Sequence, residues 1–174
     1  MMGFLRRSWT SLLALRPRRV ASTLAEHPEG NKSSETVNVR RLANDQQVSR
    51  FLFSKNHFSV EKQRAKTPAF DPSPYKELSV GHSSGLDENA TWQMGEAVRQ
   101  LVKKERLLAR ADLAVSHITE RALYADRDDI DFGGHTNVAG WPEIADDDER
   151  KRVWKGIATQ LANKSELKKA PDAV

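Results

Sequence analysis

The chain has 174 residues, 38% of them hydrophobic, with 28 lysines and arginines against 24 aspartates and glutamates and no cysteine. That length suits one domain with a modest core; the missing thiols exclude disulfides, cysteine nucleophiles, zinc-thiolate sites and iron–sulfur clusters, and no apolar run is long enough to span a membrane. Residues 1–47 hold eight basic and four acidic side chains and residues 48–163 hold seventeen and eighteen, so the near-neutral body is not expected to bind nucleic acid non-specifically through phosphate charge.

Residues 1–24 carry five arginines and no acid, with Phe4, Leu5, Trp9, Leu12 and Leu13 at helical spacing. Such a basic amphipathic leader is similar to a mitochondrial transit peptide, and equally to a stretch foreign to the domain. Pro28, Gly30, Asn31, Lys32, Ser33 and Ser34 mark a polar linker behind it, so residues 1–47 are predicted to be a disordered appendage. The domain is expected over 48–163. Val48–Phe53 alternates as a strand does, Lys62, Arg64 and Lys66 form a basic loop ending at Pro68, and Pro72 and Pro74 force an extended segment before a short strand at Glu77–Val80. Asp87 is placed to cap a helix over about 87–104, whose apolar positions Ala90, Met94, Ala97, Val98 and Leu101 recur at steps of three and four. Leu107–Ala111 and Ala122–Ala125 read as strands, with Val115–Arg121 ambiguous between them. Asp146–Glu149 open a second principal helix over about 147–163, and residues 164–174 are a charged tail expected to fray. Short, mainly antiparallel strands with two principal helices make a small single α+β domain.

Phe132–Pro142 (F-G-G-H-T-N-V-A-G-W-P) concentrates three of the nine glycines, a histidine and a Trp-Pro pair. Between its glycine breaks, His135–Ala139 alternates as a half-buried strand with His135 and Asn137 on one face. His57, in the turn-like cluster Ser54–Ser59, is the second histidine of interest. If the two imidazoles converge on one cleft they can serve as acid and base, with Arg64 gripping a phosphate, Asn137 and Ser79 orienting a ligand and Trp141 stacking on it. Each has a plain structural alternative: turn caps for the histidines, a solvated loop for Arg64, backbone hydrogen bonds for Asn137 and Ser79, and a core anchor for Trp141. The acidic run Asp126, Asp128, Asp129, Asp131 lacks the glycine and glutamate of a calcium loop, and no Ser-His-Asp, H-E-x-x-H or phosphate-loop pattern can be picked out, so no metal or cofactor is expected.

Five motifs in order, R-F-x-x-S-x-x-H-F-S at Arg50–Ser59, a P-x-A-F segment that here reads T-P-A-F at Thr67–Phe70, E-x-S-V at Glu77–Val80, A-R-A-D at Ala109–Asp112 and H-x-N-x-x-G-W-P at His135–Pro142, resemble a family of small uncharacterised bacterial proteins over 48–163. The resemblance implies a bacterial source and a cytoplasmic setting, against a mitochondrial one if residues 1–24 are a transit peptide, and it implies no mechanism. The functional expectation is a binding or accessory module whose polar cleft near His57 and His135 takes a partner protein or a nucleotide-like ligand. The alternatives are a small enzyme acting on a nucleotide or nucleic-acid phosphate by histidine acid–base chemistry, and a transferase using a nicotinamide nucleotide.

Overall fold

Val48, Arg50 and Leu52 leave their strand on one side and Ser49 and Phe51 on the other, and the architecture follows from that alternation. The computed structural model describes residues 40–72 and 74–171; the leader, the transit peptide and most of the linker expected from the sequence lie outside the described residues. Strand β1 is Arg40–Arg41, β2 Gln47–Leu52, β3 Phe58–Ser59, β4 Arg64–Ala65, β5 Leu78–His82, β6 Ala109–Ala114, β7 Tyr124–Arg127, β8 His135–Ala139 and β9 Glu166–Lys169. A seven-stranded sheet runs β1-β7-β8-β5-β2-β6-β9 with every pair antiparallel, and β3 and β4 form a separate two-stranded ribbon. Helices α1 (Glu88–Leu101), α2 (Val115–Thr119) and α3 (Asp147–Lys164) complete a small single α+β domain.

One face of the sheet carries the main core. Val48, Leu52, Leu78, Val80, Ala109, Ala111, Leu113, Ala125 and Val138 meet Ile118 of α2, Trp154, Ala158 and Leu161 of α3, and Phe70 from the 3-10 turn Thr67–Phe70. Arg50 also points to this side, where it donates to the carbonyls of Ala69 (3.0 Å) and Ser79 (2.6 Å), and burial lowers its pKa to about 10. On the opposite face α1 packs a smaller cluster of Phe51, Trp92, Val98 and Leu107. Both long helices begin where the sequence signals them. The Asp87 carboxylate accepts from the Ala90 amide and Asp146 from the Glu149 amide, each at 2.7 Å.

The sheet reaches further at both ends than the expected 48–163. Arg40–Arg41 pairs with β7, and the segment predicted to fray holds β9, paired with β6 from Asp112–Glu166 to Ala109–Lys169. Leu167 packs on the main core while Lys168, on the other face, sits 3.5 Å from both Asp112 and Glu88, so this charged stretch has partners that its sequence does not display. Val115–Arg121, ambiguous in sequence, opens with α2.

Two glycines give opposite expected results. A Cβ on Gly95 of α1 would lie 2.7 Å from Leu107 Cδ2 and 2.7 Å from Phe51 Cδ1, so Gly95→Ala forces α1 off the sheet. Overpacking of that kind costs about 1–3 kcal/mol, more than the roughly 1 kcal/mol that alanine gains over glycine in a helix. Gly156 on α3 meets nothing within 4 Å, so Gly156→Ala should stabilise by about 0.5–1 kcal/mol. Urea unfolding midpoints moving in the same direction for both variants would refute this packing of α1.

Candidate functional site

The β5–β8 register opposes Ser79 to Asn137 and Gly81 to His135, which puts Ser79, His135 and Asn137 on the α1 side of the sheet. Helix α1 covers this face over β2, β5 and β6: a Cβ on Gly81 would meet Met94 Cε at 2.8 Å. Met94 and Phe132 carry the α1 cluster as far as Gly134 at the start of β8, and over β7 and β1 the face is more polar. Arg41 lies 3.9 Å above the Tyr124 ring and its Nε is 2.9 Å from Asp126 Oδ1. Between β7 and β8 the chain turns through Asp128–Gly134. Asp128 N–H donates to the His135 carbonyl (3.1 Å), His135 N–H donates to the Phe132 carbonyl (2.9 Å), and Gly134, at φ +90, donates its N–H to Asp129 Oδ1 (2.5 Å). The left-handed backbone at Gly134 is one that only glycine adopts without cost.

This turn delivers Asp128 beneath His135. Asp128 Oδ1 is 2.5 Å from His135 Nδ1, and its second oxygen accepts from Asn137 Nδ2 at 3.1 Å. A carboxylate can only accept, so Nδ1 carries the proton, and whenever the ring is neutral Nε2 presents its lone pair. That nitrogen is 3.0 Å from Ser79 Oγ. The side chains of His135 and Asp128 are 5% and 11% exposed, whereas Ser79 is exposed, so the hydroxyl faces solvent and its base is sheltered. The Phe132 ring meets the imidazole edge-on at 5.1 Å, and Asp131 Oδ2 lies 3.7 Å from Nε2 at the rim. Ser79, His135 and Asp128 thus stand as hydroxyl, imidazole and carboxylate, joined through the nitrogens that a nucleophile–base–orienter series requires.

No protein-family model, curated protein or solved structure matches the chain.

A second set of contacts secures the turn from the core side of the sheet. Arg127 Nε donates to both Asp129 oxygens at 2.9 Å and Arg127 Nη1 donates to His82 Nδ1 at 3.1 Å, while the His82 N–H donates to the Gly134 carbonyl at 2.7 Å. The hydrogen bond from Arg127 holds Asp129 below the usual carboxylate range. Burial, and then the charge of Arg127, hold His82 below the usual imidazole value.

Of the residues picked from sequence, Ser79, Asn137 and His135 come together and the others do not. His57 and Arg64 belong to the β3–β4 ribbon and the 3-10 turn before it, which pack with Thr67–Phe70 and α3 on the opposite face of the sheet. His57 lies near Arg50 and Lys104, and burial lowers its pKa. Among the described residues no hydrogen bond, ion pair or ring contact joins His57 or Arg64 to His135 or its partners. Residues 54–59 and the polar face of His135–Ala139 thus lie on opposite sides of the sheet. Trp141 is 4% exposed, donates Nε1–H to the Val138 carbonyl at 3.0 Å and meets Trp154 edge-on at 6.1 Å, so it is a core anchor and cannot stack on a ligand. Asp128 is the residue that sequence reasoning missed, and with it the Ser-His-Asp arrangement. Its one available signal was membership of the aspartate run that leads into the glycine pair before the histidine strand. Among the described residues no three His, Asp or Glu side chains converge as metal ligands.

Proposed function

We propose that the chain is a small serine hydrolase acting on acyl esters, with Ser79 as nucleophile, His135 as general base and then acid, and Asp128 as the group that orients the ring. The observation that carries the proposal is the exposed Ser79 hydroxyl 3.0 Å from a buried imidazole whose other nitrogen is 2.5 Å from a half-buried carboxylate. Ser79 Oγ attacks the ester carbonyl carbon as its proton passes to His135 Nε2. The C–O bond to the alcohol then breaks, and the alcohol leaves with that proton. Water, deprotonated by the same nitrogen, hydrolyses the acyl-serine and restores the hydroxyl. A phosphate substrate fits less well than the sequence suggested: Arg64 is on the far face, and the site holds Asp128 beside the imidazole and Asp131 at its rim. The bacterial source and cytoplasmic setting implied by the resemblance belong to the same proposal.

The test is covalent capture. A neutral alkyl fluorophosphonate should modify Ser79, identified by peptide mass. Ser79→Ala should abolish the adduct, and His135→Gln should slow its formation by about 10²–10⁴. An unmodified wild-type protein, or an adduct that survives in Ser79→Ala, would exclude the hydrolase. The second reading, a non-catalytic binding module, is favoured by a different observation. A groove of about 710 Å³ runs between α1 and residues 105–108, past Trp92, Gln93, Gln100 and Leu107, and contains none of the three.

A further inference from the structure

We infer that the Ser79 site selects acyl groups bearing a positive charge beside the carbonyl, α-aminoacyl esters foremost, and that Asp131 is the specificity-determining residue that receives the ammonium. The inference rests on the hydrolase reading and deepens it. Four aspartates crowd the β7–β8 connection, and three are already matched. Asp126 pairs with Arg41 (2.9 Å), Asp129 with Arg127 (2.9 Å), and Asp128 is held by His135 and Asn137. Asp131 differs. Its side chain is 61% exposed, among the described residues no lysine or arginine pairs with it, and its Oδ2 lies 3.7 Å from His135 Nε2, which carries no charge while the ring is neutral.

Position puts this carboxylate within reach of the acyl side of the substrate. Nε2 is 3.0 Å from Ser79 Oγ and 3.7 Å from Asp131 Oδ2, so the carboxylate lies no further from the nucleophile than those two distances laid end to end. In a reactive pose the carbonyl carbon stands about 3–3.5 Å from the attacking oxygen, and an α-nitrogen is about 2.5 Å beyond that carbon by ordinary bond lengths and angles. An α-ammonium therefore falls within direct reach of Asp131. A neutral acyl group of equal size leaves that carboxylate solvated and exposes the developing oxyanion to its repulsion. The chemistry is unchanged: Ser79 takes the aminoacyl group, the alcohol leaves with the proton from Nε2, and water releases the amino acid.

The experiment compares two phosphonate esters of equal size, one alkyl and one α-aminoalkyl, by the second-order rate at which each modifies Ser79 at pH 7 and low salt. The amino probe should react about three- to fivefold faster, the range that a rim-exposed ion pair supplies, and the advantage should shrink as salt is raised. Asp131→Asn should bring the ratio to about one, and Asp131→Glu should retain a preference, which a merely structural role for the residue would not produce. Modification of Ser79 by the alkyl probe with the same ratio in wild type and Asp131→Asn overturns the inference and leaves the hydrolase standing. Failure of both probes to modify Ser79 overturns both.

Discussion

Asp112→Ala is expected to lower the unfolding free energy by about 3–5 kcal/mol, read as a large drop in the urea midpoint. Asp112 and Arg110 sit on the α1 face of β6, each with a side chain 3% exposed. Arg110 Nε donates to both Asp112 oxygens at 3.1 Å, its Nη2 donates to Glu88 at 2.6 Å, and its guanidinium lies 4.5 Å above the Trp92 ring. Ser49 Oγ donates to Asp112 at 2.5 Å and Lys168 of the edge strand stands 3.5 Å away. Removing the carboxylate strands a guanidinium in the interior, with Glu88, 57% exposed, as its remaining carboxylate. Replacing both members with apolar residues, Arg110→Met with Asp112→Leu, removes the two desolvation costs together and should recover most of the loss. A single variant within 1 kcal/mol of wild type, or a double variant as unstable as the single, would show that the pair does not hold β6, α1 and β9 together.

That network also explains which elements could be read from the chain. β8 falls at His135–Ala139 as its glycine-bounded alternation predicts, and the two long helices begin at their aspartate caps, because caps and turn glycines act locally. β6 runs Ala109–Ala114 where the sequence reads a strand at Leu107–Ala111, and it carries Arg110 and Asp112 within it. Its charged face is in fact buried and satisfied by residues from α1, β2 and β9, which no local pattern reveals. The charged tail becoming β9 has the same cause, since Lys168 finds its carboxylates only once the sheet exists. The site divides along the same line. His135 and Asn137 were legible as one face of one strand. Whether Ser79 or His57 joined them depended on long-range strand register, which pairs Ser79 with Asn137 and sends the ribbon after β2 to the other side.

Asp128→Asn should reduce the rate of Ser79 phosphonylation by on the order of 10³–10⁴, the size seen when a triad carboxylate becomes an amide elsewhere, while the protein still unfolds in one cooperative urea transition. The reason lies in Asn137. Its amide Nδ2 donates to the outer oxygen of Asp128 at 3.1 Å, so an amide at 128 would turn its carbonyl oxygen toward that donor and its NH₂ toward His135 Nδ1. The ring must then accept at Nδ1 and carry its proton on Nε2, where it can no longer receive one from Ser79. Taking the donor away should undo part of the damage. In Asp128→Asn with Asn137→Ala, the new amide is free to present its oxygen to Nδ1, which restores the reactive tautomer and should recover at least about tenfold of the rate, an effect of roughly 1.4 kcal/mol. Asn137→Ala alone loosens the carboxylate without altering the tautomer and should cost far less than Asp128→Asn. A double variant no faster than Asp128→Asn would mean that the tautomer held by these two side chains is not what readies Ser79.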